Sequence, residues 1–412
     1  LTAAIRIKEL NMTSRILILS ASSGNGHVRA AEALLKATHL LKADCEVKPI
    51  DALAMVSPAM RAVYSRAYIR MVNRAPSLVG WLYNHLDQPY KDEKRRLFIN
   101  RLNALPLIKE IVRYQADLII CTHFLPADIV SILLERGRIK ARHAVVITDL
   151  DAHAMWLTRN VDHYFVGLEE TKLHLESMGV APANISVTGI PIDPNFTRAS
   201  DKKQAREALG LPNQPTLIIS AGGFGVGKIE ELVAALESVK TPLTVLAMCG
   251  RNQALKKSLE TKSKTYGNLR AIGYSDRMHD YMAAADIIAG KPGGLTTAEA
   301  LSRGLIFVIV SPIPGQEERN ASHLLEGGAA IRANNLSTLG YKLERLLSAP
   351  ERMQTMSRNA LALSKGDAAM VIMRQLFGDL ESTKQSSENT QPALLSDRRK
   401  RKIAPLLRRF AQ

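Results

Sequence analysis

The run GKPGGLTTAE, Gly290 to Glu299, decides how this chain is read, with PGQEERN, Pro314 to Asn320, close behind it. An apolar stretch runs into two adjacent glycines and leaves as a helix. Gly293 and Gly294 let backbone N–H groups approach a diphosphate, and Thr296 and Thr297 add hydroxyl donors. Glu299 falls within the first turns of that helix, placed to accept hydrogen bonds from ribose hydroxyls. The plainer alternative is a strand-to-helix turn in which the glycines relieve crowding and Glu299 faces water.

Working outward, a second glycine segment has the same construction. In RILILSASSGNGHVRAAEA, Arg15 to Ala33, an apolar strand enters a small-residue loop and then an alanine-rich helix beginning near His27. Gly24 and Gly26 permit a tight turn, and His27 lands where the first unpaired N–H groups of the helix point into a crevice. An imidazole there can act as a base near neutral pH; otherwise it caps the helix or satisfies a loop carbonyl. Two such loops, far apart in sequence, predict two nucleotide-fold domains facing one cleft.

Strand-like runs alternate with helical patterns over nearly the whole chain, the signature of parallel sheets covered by helices. The first half reads as strands at 16–20, 46–50, 118–121, 144–147 and 163–166; the second half at 217–220, 244–248, 269–272, 287–289 and 307–310. Prolines and a glycine in GIPIDP, Gly189 to Pro194, mark a boundary. The expected domains are 1–194 and 195–365, with a helix over 366–380 returning to the first domain and a flexible basic tail over 381–412. Pro58 to Arg74 breaks the rhythm with an apolar helical stripe (Met60, Val63, Tyr64, Ala67, Tyr68, Met71, Val72) flanked by Arg61, Arg66, Arg70 and Arg74. Such a stripe is either core or an interfacial helix that meets membrane.

At 412 residues the chain exceeds what one core usually supports, and its 46% hydrophobic and 23% charged residues are those of an ordinary globular protein. It has no run of about 18 apolar residues to span a bilayer. Leu1 to Leu10 carries no secretion-signal core, and Met12 before the first strand suggests that the preceding residues are a dispensable extension. Cys45, Cys121 and Cys249 lie in or beside apolar runs without metal-ligand spacing, and the ten histidines form no HExxH cluster, so buried reduced thiols and no metal are expected. The formal charge of +16 calls for an acidic partner. Seven cations against one anion between Asp397 and Arg409 account for +6 of it. With 5% aromatic residues and no recognisable nucleic-acid motif, an anionic lipid surface fits better than nucleic acid.

Taken together, SASSGNGHVRAAEAL, CTHFLPADI, VITDLDAHAMW, GGFGVGK, CGRN, GYSDRMHDYMAAADI, GKPGGLTTAEA and PIPGQEERNA resemble the diacylglycerol glycosyltransferases over roughly Arg15 to Phe377. This group comprises the monogalactosyldiacylglycerol synthases and processive diacylglycerol glucosyltransferases, and is related to the lipid II-forming N-acetylglucosaminyltransferase. The resemblance implies an α/β GT-B fold of two Rossmann-like domains, with UDP-hexose held by the second and diacylglycerol presented by the first. It places Gly222, Gly223 and Phe224 beside the donor diphosphate and the backbone from Tyr274 to Met278 around the uracil. It further places Glu299 on the ribose, Gln316 and Glu317 on the hexose, with Asn320 in support. His27 matches a family histidine proposed as base or as a phosphate and acceptor contact, and Asp149, Asp151, His153 and Trp156 fall on the acceptor side. SSGNGH here replaces the GGTGGH loop of the lipid II enzyme, which favours a diacylglycerol acceptor.

The expected reaction is an inverting transfer with His27, or secondly Asp149, as base. No cofactor or divalent metal is expected, because helix-end N–H groups and hydroxyls meet the charge on the departing diphosphate. The expected location is the cytoplasmic face of a membrane, peripherally bound. The rival readings are a UDP-sugar 2-epimerase and a non-catalytic UDP-sugar sensor.

Overall fold

Parallel sheets buried on both faces require short, continuous apolar strands, and the chain supplies them. The structure, a computed structural model, describes residues 14–41, 43–64, 71–72, 74–90, 93–220, 229–264 and 267–380. The first sheet holds β1 (Ser14–Ser20), β2 (Cys45–Asp51), β3 (Leu118–Cys121), β4 (Arg142–Val146), β5 (His163–Val166) and β6 (Ile185–Val187), in the order β2-β1-β3-β4-β5-β6. The second holds β7 (Thr216–Ser220), β8 (Thr244–Gly250), β9 (Leu269–Gly273), β10 (Ile287–Gly290), β11 (Ile306–Val310) and β12 (Ala330–Ala333), in the order β12-β11-β10-β7-β8-β9. Every pairing is parallel.

Strand alternation divides the first sheet between two cores. Leu17, Leu19, Ile119 and Val145 face Leu53, Leu107, Ile111, Leu125 and Ile129. On the other face, Ile16, Ile18, Ile120 and Phe165 pack against Leu34 and Ala37 of the helix Asn25–Leu40. The same face is closed by Ala369, Ile372, Met373 and Leu376 from a helix over 368–380. The chain therefore crosses between lobes twice. The crossings touch, since a Cβ on Gly189, whose φ is +91°, would lie 2.5 Å from the Lys365 Cβ and 2.8 Å from its carbonyl oxygen.

The interrupted stretch between β2 and β3 is helical: Pro58–Ala62, Pro76–Leu86, Glu93–Asn103 and Leu105–Tyr114. Only part of the expected Pro58 to Arg74 stripe is core. Met60 is buried and Tyr64 packs partly on the first core, whereas Val63 is 60% exposed; Arg66, Ala67, Tyr68 and Arg70 lie outside the described residues, as does the tail from 381. Of the cysteines, all free, Cys121 and Cys249 are buried but Cys45 is only partly so, because it opens edge strand β2.

Strand order locates the cleft. Each sheet reverses its winding once, between β1 and β3 in the first and between β7 and β10 in the second, and the crevice beyond the carboxyl ends of such strands is where doubly wound folds bind ligands. In the first lobe that crevice receives residues 21–27 and 122–124. In the second it receives Lys291 to Glu299; Gly222, Gly223 and Phe224 fall outside the described residues.

Candidate active site

His27 is in the first turn of the helix Asn25–Leu40, whose N-cap, Gly24, offers no side-chain bond. Its Nδ1 is 2.9 Å from the Thr122 carbonyl and 2.8 Å from Thr148 Oγ1. A carbonyl only accepts, so Nδ1 carries the proton and Nε2 keeps the lone pair. Burial lowers the imidazole pKa to about 4, the Thr122 bond opposing that shift. The side chain is thus a neutral ring fixed in the tautomer a base requires.

Beside it, His123 caps the helix Phe124–Glu135: its Nδ1 accepts from the Leu125 N–H at 3.0 Å, leaving Nε2–H to reach Ser23 Oγ at 3.1 Å. Burial pushes the His123 pKa well below the usual histidine value, and the neighbouring His27 adds to the effect. The rings of His27 and His123 meet edge to face at 4.6 Å, and Trp156 lies 6.1 Å from His27 and 6.0 Å from Phe124. These rings form an aromatic wall on the first lobe.

The second lobe closes over this wall. Gly294 opens the helix Gly294–Ser302, and a Cβ placed on it would lie 2.0 Å from the Thr148 carbonyl oxygen and 3.0 Å from the Asp149 Cα. The lack of a side chain there lets the lobes touch backbone to backbone. Gly293 has room for a Cβ, which would lie 4.0 Å from Glu317 Oε1. The two glycines therefore differ in their surroundings: Gly294 is packed against the backbone of the first lobe and Gly293 is not.

Glu299 does not face water. It is 2% exposed, and Arg29 Nη2 from the first lobe reaches its Oε1 at 2.6 Å. Burial raises its pKa to about 7, with Arg29 opposing the rise and Asp193 adding to it. Thr297 is fully buried, and its Oγ1 has no hydrogen-bond partner among the described residues. Thr296 is partly buried in the same turn.

The PGQEERN segment opens the helix Gln316–Glu326 and clasps the first lobe. Gln316 Nε2 donates to Asp149 Oδ1 at 2.6 Å, and the Leu150 N–H donates to Asn320 Oδ1 at 2.9 Å while Asn320 Nδ2 donates to the Pro292 carbonyl. Glu317 accepts from the Ile313 N–H at 2.7 Å. Burial lifts Asp149 to about 6 and Glu317 to about 7, and hydrogen bonds to each oppose the lift. Arg319 bonds Asp87 at 2.6 Å and Asp151 at 3.3 Å, with its guanidinium 5.0 Å from the Tyr83 ring centroid. Gly315, at φ +92°, leaves the space that Tyr83 fills. His153 Nε2 donates to the Tyr83 carbonyl at 2.8 Å, fixing the helix Pro76–Leu86 against this corner.

His27, Asp149, Asp151, Gly294, Glu299, Gln316 and Asn320 thus meet where the lobes join. Tyr274 is exposed at the end of β9 with Arg251 4.9 Å from its ring centroid, and Met278 begins the helix Met278–Ala284, partly buried on the second lobe's core. Sequence reasoning missed Arg29, Thr122, His123, Thr148, Tyr83, Asp87 and Arg319. All of these but Tyr83 and Asp87 lie inside the quoted runs SASSGNGHVRAAEAL, CTHFLPADI, VITDLDAHAMW and PGQEERN. One further cluster, Glu170, His323 and Glu326, brings metal-ligand atoms within 4.8 Å of one another, with both glutamates exposed.

Comparison with known proteins agrees with this geometry. Residues 27–192 match the family model for monogalactosyldiacylglycerol synthase and residues 216–372 that for the glycosyltransferase family 28 C-terminal domain. A processive diacylglycerol beta-glucosyltransferase of Bacillus licheniformis is 30% identical over 381 residues, 90% of this chain and 97% of the relative. Among solved structures, Acinetobacter baumannii MurG aligns with a TM-score of 0.56 at 15% identity, over 88% of this chain and 99% of its own. Anabaena HepE in complex with UDP-glucose aligns with a TM-score of 0.53 at 16% identity, over 90% and 99%. Two parallel six-stranded sheets facing one cleft are the GT-B fold. The chain belongs to the diacylglycerol glycosyltransferase family and is a glycosyltransferase of it.

Proposed function

We propose that the protein transfers a hexose, with inversion, from UDP-hexose to 1,2-diacylglycerol. The observation that carries this reading is the meeting of His27, a neutral imidazole with its lone pair on Nε2, with the Gly294–Ser302 helix end of the other lobe, where a Cβ placed on Gly26 would lie 3.7 Å from the Leu295 Cβ. The acceptor hydroxyl loses its proton to His27 and attacks the anomeric carbon on the face opposite UDP. Charge growing on the departing diphosphate is met by the N–H groups at Gly293 and by the hydroxyls of Thr296 and Thr297, without cofactor or divalent metal. Glu299 takes the ribose, and Gln316 and Glu317 the hexose hydroxyls. The backbone from Tyr274 to Met278 borders the uracil, while Asp151, His153 and Trp156 line the acceptor side.

The names of the relatives favour glucose over galactose. Diacylglycerol vesicles given UDP-glucose should yield glucosyldiacylglycerol, read by mass analysis, whereas vesicles given UDP-galactose should yield little product. Conversion of UDP-hexose without lipid would favour an epimerase, and binding without turnover a sensor.

A lipid acceptor stays in its bilayer, so the enzyme must come to it. Among the described residues no helix is long and apolar enough to cross a membrane. Two consecutive helices instead expose apolar side chains: Leu78, Trp81 and Leu86 on the first, Phe98, Ile99 and Leu102 on the second, with Arg74 and Arg101 exposed beside them. Phe98 and Leu102 are one helical turn apart and share a face. The reading is peripheral docking on an anionic surface by these helices, on the cytoplasmic side. Sedimentation with phosphatidylglycerol-containing vesicles should fall at least tenfold in Trp81→Ser/Phe98→Ser, since about 1.5–3 kcal/mol accompanies burial of each such side chain. Higher salt should weaken the remaining attraction, and unchanged sedimentation of the double variant would remove these helices from the docking surface.

A further inference from the structure

The helices Asn25–Leu40 and Gly294–Ser302 lie side by side across the cleft: a Cβ placed on Gly26 would lie 3.7 Å from the Leu295 Cβ, and one turn further along Arg29 meets Glu299. Arg29 is the cationic partner of a carboxylate that is almost wholly withdrawn from water, while its own side chain remains about one-third exposed. Such a pairing offsets the desolvation of Glu299. It also competes with the proposed function of the same carboxylate, because the guanidinium at 2.6 Å takes an acceptor position on Oε1 that a ribose hydroxyl would otherwise use.

The displaced guanidinium has a nearby destination. Glu299 is five residues beyond Gly294, so the N-terminus of that helix lies about 7 Å away along its axis, within the sweep of an arginine side chain. In the intervening turn sits the buried Thr297 hydroxyl, which lacks a partner among the described residues. Asp193, the other acid acting on Glu299, is already held by Lys36 at 2.5 Å and does not compete for Arg29.

We propose that Arg29 is a donor-binding residue supplied by the acceptor lobe, exchanging Glu299 for the diphosphate of the nucleotide when the ribose hydroxyls take that carboxylate. A guanidinium presents paired N–H donors that match phosphate oxygens. The exchange makes the first lobe part of the donor site and ties nucleotide binding to the alignment of the lobes. The inference rests on the assignment of UDP-hexose as donor.

Calorimetric titration of the full chain and its Arg29→Met variant with uridine and with UDP tests it, beside turnover of UDP-hexose on diacylglycerol vesicles. Arg29→Met should weaken UDP binding roughly ten- to hundredfold, the value of a charge-assisted bond, and leave uridine binding unchanged or tighter because Glu299 is released. Arg29→Lys should recover part of the loss. If both ligands weaken alike, or UDP binds the variant as tightly as the parent, Arg29 is only the structural partner of Glu299 and the inference falls while the donor assignment stands. If the parent chain binds neither ligand and transfers no hexose, the donor assignment falls and takes the inference with it.

Discussion

Replacing His27 by alanine is expected to lower kcat by about 10²–10⁴-fold, the usual contribution of a positioned base, with UDP binding largely retained. The Thr122 carbonyl and Thr148 hydroxyl hold the ring by Nδ1, so no other imidazole can take its place: His123 spends its Nδ1 as a helix cap and directs Nε2–H at Ser23. The pH dependence separates His27 from Asp149. Burial lowers the imidazole pKa to about 4, so the unprotonated base persists until the pH falls near that value, whereas Asp149, raised to about 6, would lose its ionised form two units earlier. The acid limb of kcat/KM should lie near pH 4 if His27 is the base and near pH 6 if Asp149 is. Full turnover by His27→Ala eliminates the imidazole; an acid limb near 6 that disappears in Asp149→Asn transfers the assignment to the aspartate.

Gly294→Ala should reduce kcat/KM by about a hundredfold or more, the cost of roughly 1 Å of misplacement at a reacting centre. The added methyl would meet the Thr148 carbonyl oxygen at 2.0 Å and its carbonyl carbon at 2.9 Å. Both are backbone atoms, which no rotamer change can move aside. Relief requires separating the lobes, which would stretch the Gln316 to Asp149 bond, or shifting Thr148, whose hydroxyl steadies His27. Melting should show a loss of about 1–3 kcal/mol, typical of overpacking. Gly293→Ala provides the contrast: with 4.0 Å of clearance it should melt like the parent and weaken UDP binding instead. Equal melting of all three proteins would mean that the lobes do not bear on Gly294 in solution.

Much of this architecture was legible in the sequence because a strand buried on both faces is an unbroken apolar run, as in RILILS or IIAG. Ten strands were readable on that basis. β6 and β12 were not, since ISV and AIRA are too short for a pattern and become strands only by joining an existing sheet edge. The glycine loops pointed to the cleft, and GKPGGLTTAE and PGQEERN both arrive there. What stayed hidden was relational. A lone arginine in VRAAEA has no signature until the helix lies against Glu299, and nothing in a Gly-Gly pair says that one member serves the other lobe. The run KDEKRRLFINRLN reads as a charged segment, yet the helix Glu93–Asn103 exposes Phe98, Ile99 and Leu102 while Arg96 Nε binds the buried Asp128 at 2.9 Å.

The return of residues 368–380 to the first sheet means that the second lobe is an insertion within its neighbour rather than a bead on the same string. A fragment ending at the first crossing would leave Ile16, Ile18 and Phe165 bare on one side and should precipitate, whereas a chimera that splices 366–380 onto it through a short linker restores the missing layer. Tethering at two touching strands of chain, near Gly189 and Lys365, also limits the lobes to rotation about that pivot. Relative motion is thereby confined to one arc, and the helices Pro76–Leu86 and Glu93–Asn103 and the loop before Gly294 return to the same register each time the lobes close.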